Sequence, residues 1–268
     1  MQQTRQAIII GHRGARGLAP ENTLAGFRKA IDNGASQIEV DARQTSDGIV
    51  VLLHNPFVTD ASGKKLKIAG TTYAELKAHK PDLATLYESI NYINGNVPFM
   101  IEVKRGVPTT QTVRIVQSFL DNGWRPKDFY FASFSYKILK QLGEALPQID
   151  SIVLEHWSSV RAISRAHRLK TKNLSMNHRW LWGGFVRAIS KNYNLYTFTL
   201  NNTKKARRWE KLGLYGIITD YPDFFLKPIP AIIKEHESST SSHRQRNRQH
   251  QNVLVRARQT VPLQRRSV

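Results

Sequence analysis

Carboxylates inside apolar segments are the first sign of chemistry in this sequence. Glu39 and Asp41 lie two positions apart in one such segment, and Glu102 and Lys104 have the same spacing in another. A spacing of two places both side chains on one side of a β-strand. Buried charges of this kind are costly unless they are paired or bound to a cation. Because an all-oxygen ligand set suits Mg²⁺ or Ca²⁺ better than zinc, the residues predict a site for one of those two cations.

Two histidines also follow apolar segments. His12 comes directly after the first segment, and His54 ends a short apolar run that follows the turn pair Asp47-Gly48. Taken singly, each histidine or carboxylate is compatible with a structural role, such as an ion pair inside a barrel or a half-exposed strand position. Their joint occurrence after successive segments favours one shared site.

The elements that must position these side chains alternate regularly along the chain. Eight apolar runs are predicted strands: Ala7–Gly11, Gln37–Ala42, Phe99–Lys104, Phe129–Ser133, Ser151–Glu155, Asn173–Asn177, Leu195–Asn201 and Gly216–Thr219. Helices are predicted between them: Glu21–Asn33, Ala84–Asn94, Thr110–Asn122, Tyr136–Ala145, Ser158–Arg168, Trp182–Lys191 and Thr203–Leu212, with an eighth starting in Asp223–Leu226. Eight strands alternating with about eight helices predict an α/β fold, a (β/α)8 TIM barrel. A doubly wound open sheet is the alternative, but eight such units in roughly 220 residues favour closure.

One stretch interrupts the alternation. The run Ile49–Leu53 predicts a short extra strand, and residues 55–83 that follow are polar and lack a long period. We therefore predict a small insertion after the second strand, on the face of the barrel that carries active sites. The predicted domain organisation is one barrel over residues 1–235, followed by a tail over residues 236–268.

Composition excludes several classes of protein. Among 268 residues there is no cysteine, which excludes a disulfide framework, a thiolate metal site and a cysteine nucleophile. The chain start shows no secretory signal pattern, and apolar runs of about five residues are far short of the ~20 that span a bilayer. A cytoplasmic protein is the expectation.

The formal net charge of +20 raises the question of an anionic partner. Residues 236–268 hold seven arginines against one acid, so the tail accounts for +6 of that charge. Its Ser, Gln, Arg and His content predicts a disordered basic segment. Two hypotheses stay open for it: a solvated extension, or an arm that weakly contacts an anionic membrane or RNA. No obligatory nucleic-acid partner is expected.

These motifs resemble the glycerophosphodiester phosphodiesterase family, in its cytoplasmic bacterial form. The matching residues are His12-Arg13-Gly14, Pro20-Glu21-Asn22-Thr23, Glu39-Val40-Asp41, Asp47-Gly48 with His54, Ile101-Glu102-Val103-Lys104, Ser133-Phe134, Thr199-Leu200-Asn201 and Gly216-Ile217-Ile218-Thr219-Asp220. The resemblance extends from residue 8 to about residue 224. It implies a (β/α)8 barrel, in agreement with the strand count.

The resemblance also implies roles for individual residues. Ligands of a divalent cation, Mg²⁺ or Ca²⁺, are Glu39, Asp41 and Glu102. The general acid and base are His12 and His54, without an indication of which is which. The substrate phosphate is contacted by Arg13 and Lys104. Independently of the resemblance, their positions at or just after predicted strand ends make Asn177, Trp180 and Asn201 further candidates for the substrate pocket. Phe198, near the end of the seventh predicted strand, is another.

Two positions depart from the family pattern. Asn55 stands where the family commonly has Asp after the second histidine, and Phe198 stands where it often has Trp. The first change concerns the orientation or basicity of His54. The second concerns the alcohol that the pocket accepts.

The implied activity is metal-dependent hydrolysis of a small glycerophosphodiester to glycerol 3-phosphate and an alcohol, by His general acid/base catalysis. Water or the substrate's own glycerol hydroxyl is the nucleophile. A lysophospholipase D-like or cyclising phospholipase on the same barrel is the alternative, although the polar 55–83 insertion shows no apolar entry surface. A basic protein that binds nucleic acid or membranes is the alternative from a different class. Head group and oligomeric state do not follow from the sequence.

Overall fold

The structure is a computed structural model that describes residues 6–226. Its strands are β1 Ile8–Gly11, β2 Gln37–Gln44, β3 Val50–Leu52, β4 Phe57–Thr59, β5 Lys65–Lys67, β6 Phe99–Val103, β7 Phe129–Ser133, β8 Asp150–Glu155, β9 Asn173–Asn177, β10 Asn194–Phe198 and β11 Gly216–Thr219. Its helices are α1 Leu24–Asp32, α2 Tyr73–His79, α3 Leu86–Ile93, α4 Thr110–Asp121, α5 Tyr136–Ala145, α6 Ser159–Arg168, α7 Gly183–Ile189 and α8 Thr203–Glu210. The predicted tail, 236–268, lies outside the described residues.

Eight parallel strands close into a barrel. Following the hydrogen bonds, the order is β1, β2, β6, β7, β8, β9, β10 and β11, and β11 pairs with β1 again. Because helices lie between successive strands, this is the predicted TIM barrel, and that prediction is confirmed. Strand β3 pairs antiparallel with the last residues of β2, above the barrel. Among residues 6–226, no helix has the length and apolar character needed to cross a membrane.

The alternation of side chains along each strand divides the core into two layers. In β2, Ile38, Val40 and Ala42 pack outward against the helices, in one apolar cluster with the outward residues of the other strands. The barrel interior holds a second apolar cluster that includes Ile10, Met100, Ala132, Ile152, Leu154, Tyr196 and Ile218. Since period two sends Glu39 and Asp41 to the side opposite Val40, both carboxylates point into the barrel.

Local sequence explains where the helices begin. Thr23, Ser135, Ser158 and Asn202 each precede a helix, and each side chain accepts a backbone N–H from the first turn. Such N-caps satisfy donors that have no partner within the helix. These helices start just beyond the carboxyl ends of the strands, so the same residues fix the loops around the active face.

The insertion contains more structure than its sequence predicts. Strand β3 lies within the predicted extra strand, but residues 55–83 also form a hairpin of β4 with β5 and the short helix α2. Leu66, Ile68, Leu76 and Leu83 give this region a small apolar core with Val51. Three-residue strands and a seven-residue helix are too short to show a period in sequence. The predicted eighth helix is a 3-10 turn, Pro222–Phe225.

Candidate active site

Three carboxylates meet inside the barrel near its carboxyl end. Glu39 and Asp41 come from β2 and Glu102 comes from the neighbouring β6, where Asp41 and Glu102 are directly paired across the two strands. One oxygen of each residue lies within 4.8 Å of the others, and all three side chains are buried. We call these three residues the carboxylate cluster.

Two cationic side chains contact the cluster. Lys104 Nζ lies 2.6 Å from Asp41 Oδ1 and 2.5 Å from Glu102 Oε1. Arg13 Nε lies 3.0 Å from Asp41 Oδ2, and its Nη1 donates to Glu21 Oε2 at 2.8 Å. The backbone N–H of Arg13 donates to Glu39 Oε2 at 2.9 Å. Glu39 therefore differs from Asp41 and Glu102: it accepts a backbone N–H, whereas each of the other two carboxylates contacts a cationic side chain.

The titration behaviour of the cluster follows from burial and this unequal pairing. Burial raises the pKa of Glu39 well above its ordinary value, and the charges of Asp41 and Glu102 raise it further. Burial also raises the pKa of Glu102, although Lys104 opposes it. For Asp41, the charges of Lys104 and Arg13 outweigh burial and hold its pKa below the ordinary value. The cluster thus holds more negative charge than Arg13 and Lys104 balance.

The donor set of the cluster fits a divalent cation. Ligand oxygens that lie 2.0–2.6 Å from one Mg²⁺ or Ca²⁺ are separated by up to about twice that distance, which agrees with the spacing of up to 4.8 Å. All three donors are carboxylate oxygens, the ligands that hard cations prefer. The raised pKa of Glu39 also supports a cation site, because a cation beside this carboxylate would compensate the charge that burial disfavours.

His12 is held by a carboxylate from the opposite end of the chain. Its Nδ1 lies 2.6 Å from Asp220 Oδ1. Asp220 Oδ2 accepts a hydrogen bond from Asn201 Nδ2 at 2.9 Å, and Asn201 Oδ1 accepts one from Thr219 Oγ1. Burial would raise the pKa of Asp220, but the bonds from His12 and Asn201 lower it, so this carboxylate stays ionised. The contact leaves Nε2 of His12 as the nitrogen available to a substrate.

His54 is fixed through its backbone. The Arg43 guanidinium donates to the carbonyl oxygens of Leu53 and His54, at 3.1 and 3.0 Å from Nε. His54 Nδ1 lies 3.2 Å from the amide oxygen of Asn55, which takes the place of the family's usual aspartate. Burial lowers the pKa of His54, and the charge of Asp41 only partly opposes this effect. This shift favours the neutral form of His54.

Two residues beside the cluster have left-handed backbone conformations. The φ angles of Arg13 and Asn22 are 52° and 56°. A non-glycine residue in this region costs roughly 1 kcal/mol or more. Asn22 donates to Asp41 Oδ2 and accepts from the Asp41 backbone N–H, so hydrogen bonds compensate its strain. The strain lies where the loop after β1 brings Arg13 over the cluster.

A cavity of about 340 Å³ opens above the cluster. Of the residues predicted from sequence, it is lined by His12, Arg13, Glu39, His54, Glu102, Lys104, Asn177 and Phe198. Asp41 is buried beside these residues. The other two candidates lie elsewhere: Asn201 is behind Asp220, and Trp180 is on the outer rim, where its ring contacts Trp157. The structure thus brings both histidines, the three carboxylates and the two cations together.

Aromatic rings form the wall opposite the carboxylates. The ring of His156 stacks on Phe134 with centroids 4.3 Å apart, and Phe198 packs edge-on against both. Contacts continue outward from His156 to Trp157 and from Trp157 to Trp180, with centroid distances of 5.8 and 5.9 Å. Burial lowers the pKa of His156, so it is a neutral ring in this wall.

Several cavity residues have no role in the sequence-based prediction. Arg16, Arg179 and His178 line the cavity. Asp220 belongs to a matching motif but was assigned no function. Arg16 could have been predicted to lie near the cavity, because it follows His12 by only four residues. Arg179 and His178 could not, because they lie in a loop without periodicity. Asp220 is 208 positions from His12, so only barrel closure reveals their contact.

Comparisons with known proteins identify the family of this chain. The glycerophosphoryl diester phosphodiesterase family matches residues 12–224. A putative glycerophosphodiester phosphodiesterase of Bacillus subtilis, YhdW, is 29% identical over 235 residues, covering 82% of this chain and 96% of that protein. A glycerophosphodiester phosphodiesterase of Caldanaerobacter subterraneus is 27% identical, covering 81% of this chain and 96% of the other.

Solved structures give the same result. An Oleispira antarctica phosphodiesterase, in complex with the product sn-glycerol-3-phosphate, is 26% identical with a TM-score of 0.71, covering 82% of this chain and 94% of that one. The Thermotoga maritima glycerophosphodiester phosphodiesterase is 25% identical with a TM-score of 0.67, covering 82% and 97%. The resemblance seen in the sequence is confirmed, as is the enzyme class it implied, a phosphoric diester hydrolase. This chain belongs to the glycerophosphoryl diester phosphodiesterase family.

Proposed function

We propose that this protein hydrolyses small glycerophosphodiesters to glycerol 3-phosphate and an alcohol, with a divalent cation held by the carboxylate cluster. The observation that carries the proposal is the meeting of Glu39, Asp41 and Glu102 within 4.8 Å, between two histidines that belong to one cavity. The similar Oleispira antarctica enzyme, solved with sn-glycerol-3-phosphate, supports the choice of substrate class.

Glu39, Asp41 and Glu102 would hold Mg²⁺ or Ca²⁺. When bound there, the cation would supply positive charge to the phosphate oxygens and to an oxygen that loses its proton. Asn22 keeps Asp41 in place through two hydrogen bonds, and Lys104 and Arg13 keep it ionised.

The phosphate itself is bound by the chain's own cations in this proposal. Lys104 has three ammonium hydrogens, and Asp41 and Glu102 use two of them, which leaves one for the cavity. Burial alone would lower the pKa of Lys104, but the two carboxylates raise it, so the ammonium group stays charged. Arg13 has guanidinium donors beyond those used by Asp41 and Glu21, and Arg16 and Arg179 add positive charge at the cavity wall.

Proton transfer is assigned to the two histidines. One accepts the proton of the attacking hydroxyl, from water or from the glycerol moiety, and the other donates a proton to the leaving alcohol oxygen. Attack by the glycerol hydroxyl would first give a cyclic phosphate, which water would then open to glycerol 3-phosphate, with the two histidines again transferring the protons. Both keep Nε2 available, because Nδ1 of His12 contacts Asp220 and Nδ1 of His54 contacts Asn55. Each transfer of this kind contributes roughly 10²–10⁴-fold to the rate.

The first test is release of glycerol 3-phosphate from glycerophosphocholine, glycerophosphoethanolamine and glycerophosphoglycerol, with a lysophospholipid for comparison. We expect turnover of at least one glycerophosphodiester in the presence of Mg²⁺ or Ca²⁺, and loss of roughly 10²–10⁴-fold in His12→Ala and His54→Ala. Folded protein without turnover of any diester would contradict the proposal. Exclusive turnover of the lysophospholipid would replace it with the phospholipase alternative.

The same two variants separate the acid from the base. A substrate with a good leaving group, such as a nitrophenyl ester, needs little protonation of the leaving oxygen. The variant that lacks the acid is therefore expected to recover on that substrate, and the variant that lacks the base is not. Equal recovery of both variants would contradict an acid and base pair.

A further inference from the structure

The side of the barrel that carries the aromatic wall has an unusual charge distribution. Residues 156–209 contain twelve Lys and Arg residues and no Asp or Glu. This segment runs from the loop after β8 almost to the end of α8 and makes up about a quarter of the described residues. Ten of the twelve cationic residues are exposed: Arg161, Arg168, Lys170, Lys172, Arg179, Arg187, Lys191, Lys204, Arg207 and Arg208.

Large apolar side chains project from the same segment. Trp157, Trp180 and Trp182 are 65%, 54% and 67% exposed, and Val160 is 76% exposed. Three exposed tryptophans on one rim are a strong departure from an ordinary surface, where large aromatic rings are mostly buried. These exposed side chains are therefore not part of the buried barrel core.

The topology places these residues on the face where the cavity opens. Trp157 lies between β8 and α6, and Trp180 and Trp182 lie between β9 and α7. In a TIM barrel, loops that follow strands are at the active face, and so are the first turns of the next helices. Val160 and Lys204 are in such first turns. Trp157 and Trp180 contact each other, and their neighbours His156 and Arg179 line the cavity.

We propose that this cationic aromatic surface, formed by Trp157, Val160, Trp180 and Trp182 with the exposed Arg161, Arg179 and Lys204, docks the enzyme on an anionic phospholipid bilayer. Tryptophan is enriched at membrane interfaces because its ring is apolar while its N–H prefers water. Basic side chains add attraction to anionic head groups. Docking in this orientation would turn the cavity mouth toward the bilayer.

Charge disfavours the other obvious occupants of this surface. The basic tail, residues 236–268, carries the same sign of charge and would be repelled. A second copy of the chain placed on the same surface would bring like charges together. A single-stranded nucleic acid is also anionic and stacks on aromatic rings. However, Val160 has no role in stacking, whereas an exposed aliphatic side chain beside three tryptophans suits insertion into lipid.

The test uses the full chain and needs no catalytic readout, so it is independent of the proposed activity. Flotation with phosphatidylcholine vesicles is compared with flotation on vesicles containing about one third phosphatidylglycerol, at about 0.1 M salt. We expect binding to the anionic vesicles only. Trp157→Ser/Trp180→Ser/Trp182→Ser is expected to weaken it by about tenfold or more. The matched control is Tyr87→Ser/Tyr92→Ser, which removes exposed aromatic rings from α3.

Charge is tested in the same way. Arg179→Glu/Lys204→Glu is expected to weaken binding by about tenfold or more, and Lys29→Glu/Arg114→Glu, on α1 and α4, is expected to have a much smaller effect. Brominated phospholipids should quench the tryptophan fluorescence of the wild-type protein on anionic vesicles. The circular dichroism spectrum and melting temperature of each variant establish that it is folded.

Three results would overturn the proposal. The first is failure of the full chain to bind anionic vesicles. The second is binding of the triple tryptophan variant at the wild-type level, which would assign binding to another part of the chain. A single-stranded oligonucleotide that binds more tightly than the vesicles, and loses that binding in the tryptophan variant, would assign the surface to nucleic acid instead.

Discussion

The two sides of the cavity are built from opposite kinds of residue. The side formed by β1, β2 and β6 holds the carboxylate cluster, in a dense network of ion pairs and short hydrogen bonds. The side formed by β8, β9 and β10 presents aromatic rings and, across residues 156–209, no carboxylate at all. Hydrolysis of a phosphodiester restricts the types of residue that can form the side with the carboxylate cluster. In the proposed reaction, the second side would face the alcohol portion of the substrate, which varies among glycerophosphodiesters.

The largest expected effect comes from the carboxylate side. Glu39→Gln removes one of the three charges that would hold the cation, and we expect kcat/KM to fall by at least about 10³-fold, corresponding to several kcal/mol of lost transition-state stabilisation. The measurement is glycerol 3-phosphate release at saturating Mg²⁺ or Ca²⁺. The control is Glu144→Gln, on the exposed outer face of α5. A variant that retains activity within tenfold would contradict a role for Glu39 at the centre of the site.

The same substitution is expected to stabilise the cation-free fold. A carboxylate whose pKa is raised in the folded state costs stability above its unfolded-state pKa, and the pKa of Glu39 is raised well above ordinary. In chelator at pH 7, Glu39→Gln should therefore raise the melting temperature by about 2–4 °C per kcal/mol recovered. Scanning calorimetry checks this, and a lower melting temperature would mean that the buried charge is already compensated by Arg13 and Lys104.

The next largest effect concerns the support of His12. Asp220→Asn keeps the shape of the side chain but removes the charge beside Nδ1, which lies 2.6 Å away. We expect kcat to fall by roughly 10–10²-fold while KM changes little, because Asp220 acts through His12 and has no contact with substrate in this account. A change confined to KM would show that Asp220 binds substrate instead. Asp223→Asn, three residues further on, is the matched control.

Substitution in the aromatic wall is expected to have a smaller and more selective effect. His156→Ala removes the ring stacked 4.3 Å from Phe134. A contact of this ring with the alcohol portion of the substrate would be worth about 0.5–1.5 kcal/mol, so KM should rise about two- to tenfold. The rise should depend on the alcohol portion of the diester, whereas Glu39→Gln should affect all diesters equally. An equal rise in KM for every alcohol in His156→Ala would contradict separate roles for the carboxylate side and the aromatic side of the cavity.

A last expected effect is on stability and not on turnover, at the base of the aromatic wall. Glu155 binds Arg161 and accepts the backbone N–H groups of His156 and Trp157, and its pKa falls to about 2, since these bonds outweigh burial. Because a lowered pKa in an acid stabilises the fold above the unfolded-state pKa, this contribution is present at pH 7 and lost as the pH falls toward 2. Glu155→Gln should lower the free energy of unfolding by about 2 kcal/mol at pH 7.

The difference between wild type and Glu155→Gln should shrink as the pH falls from the ordinary value near 4.5 toward 2. Urea unfolding at a series of pH values measures it. A difference that is constant with pH would mean that the glutamate acts through its shape and not through its charge. Asp150→Asn, at the exposed start of the same strand, is the matched control.

The same contrast explains what could be predicted from sequence. The positions of Glu39, Asp41 and Glu102 follow from strand periodicity, so their convergence was predictable once the barrel was assumed. The contact of His12 with Asp220 was not, because it depends on the closure of β11 against β1. On the aromatic side, Trp180 was expected near the pocket and lies on the rim. Loops lack the periodicity that fixes the direction of a side chain, so their role emerges only from the structure.

The most direct test of the central claim is the cation dependence of hydrolysis by the full chain. The wild-type protein would be treated with chelator, and glycerol 3-phosphate release would be followed while Mg²⁺ or Ca²⁺ is added back, in parallel with calorimetric titration of the same cation. The account predicts loss of activity in chelator, recovery with saturation at one cation-binding transition, and absence of that transition in Glu39→Gln. Full activity in chelator, or unchanged cation binding in Glu39→Gln, would contradict it.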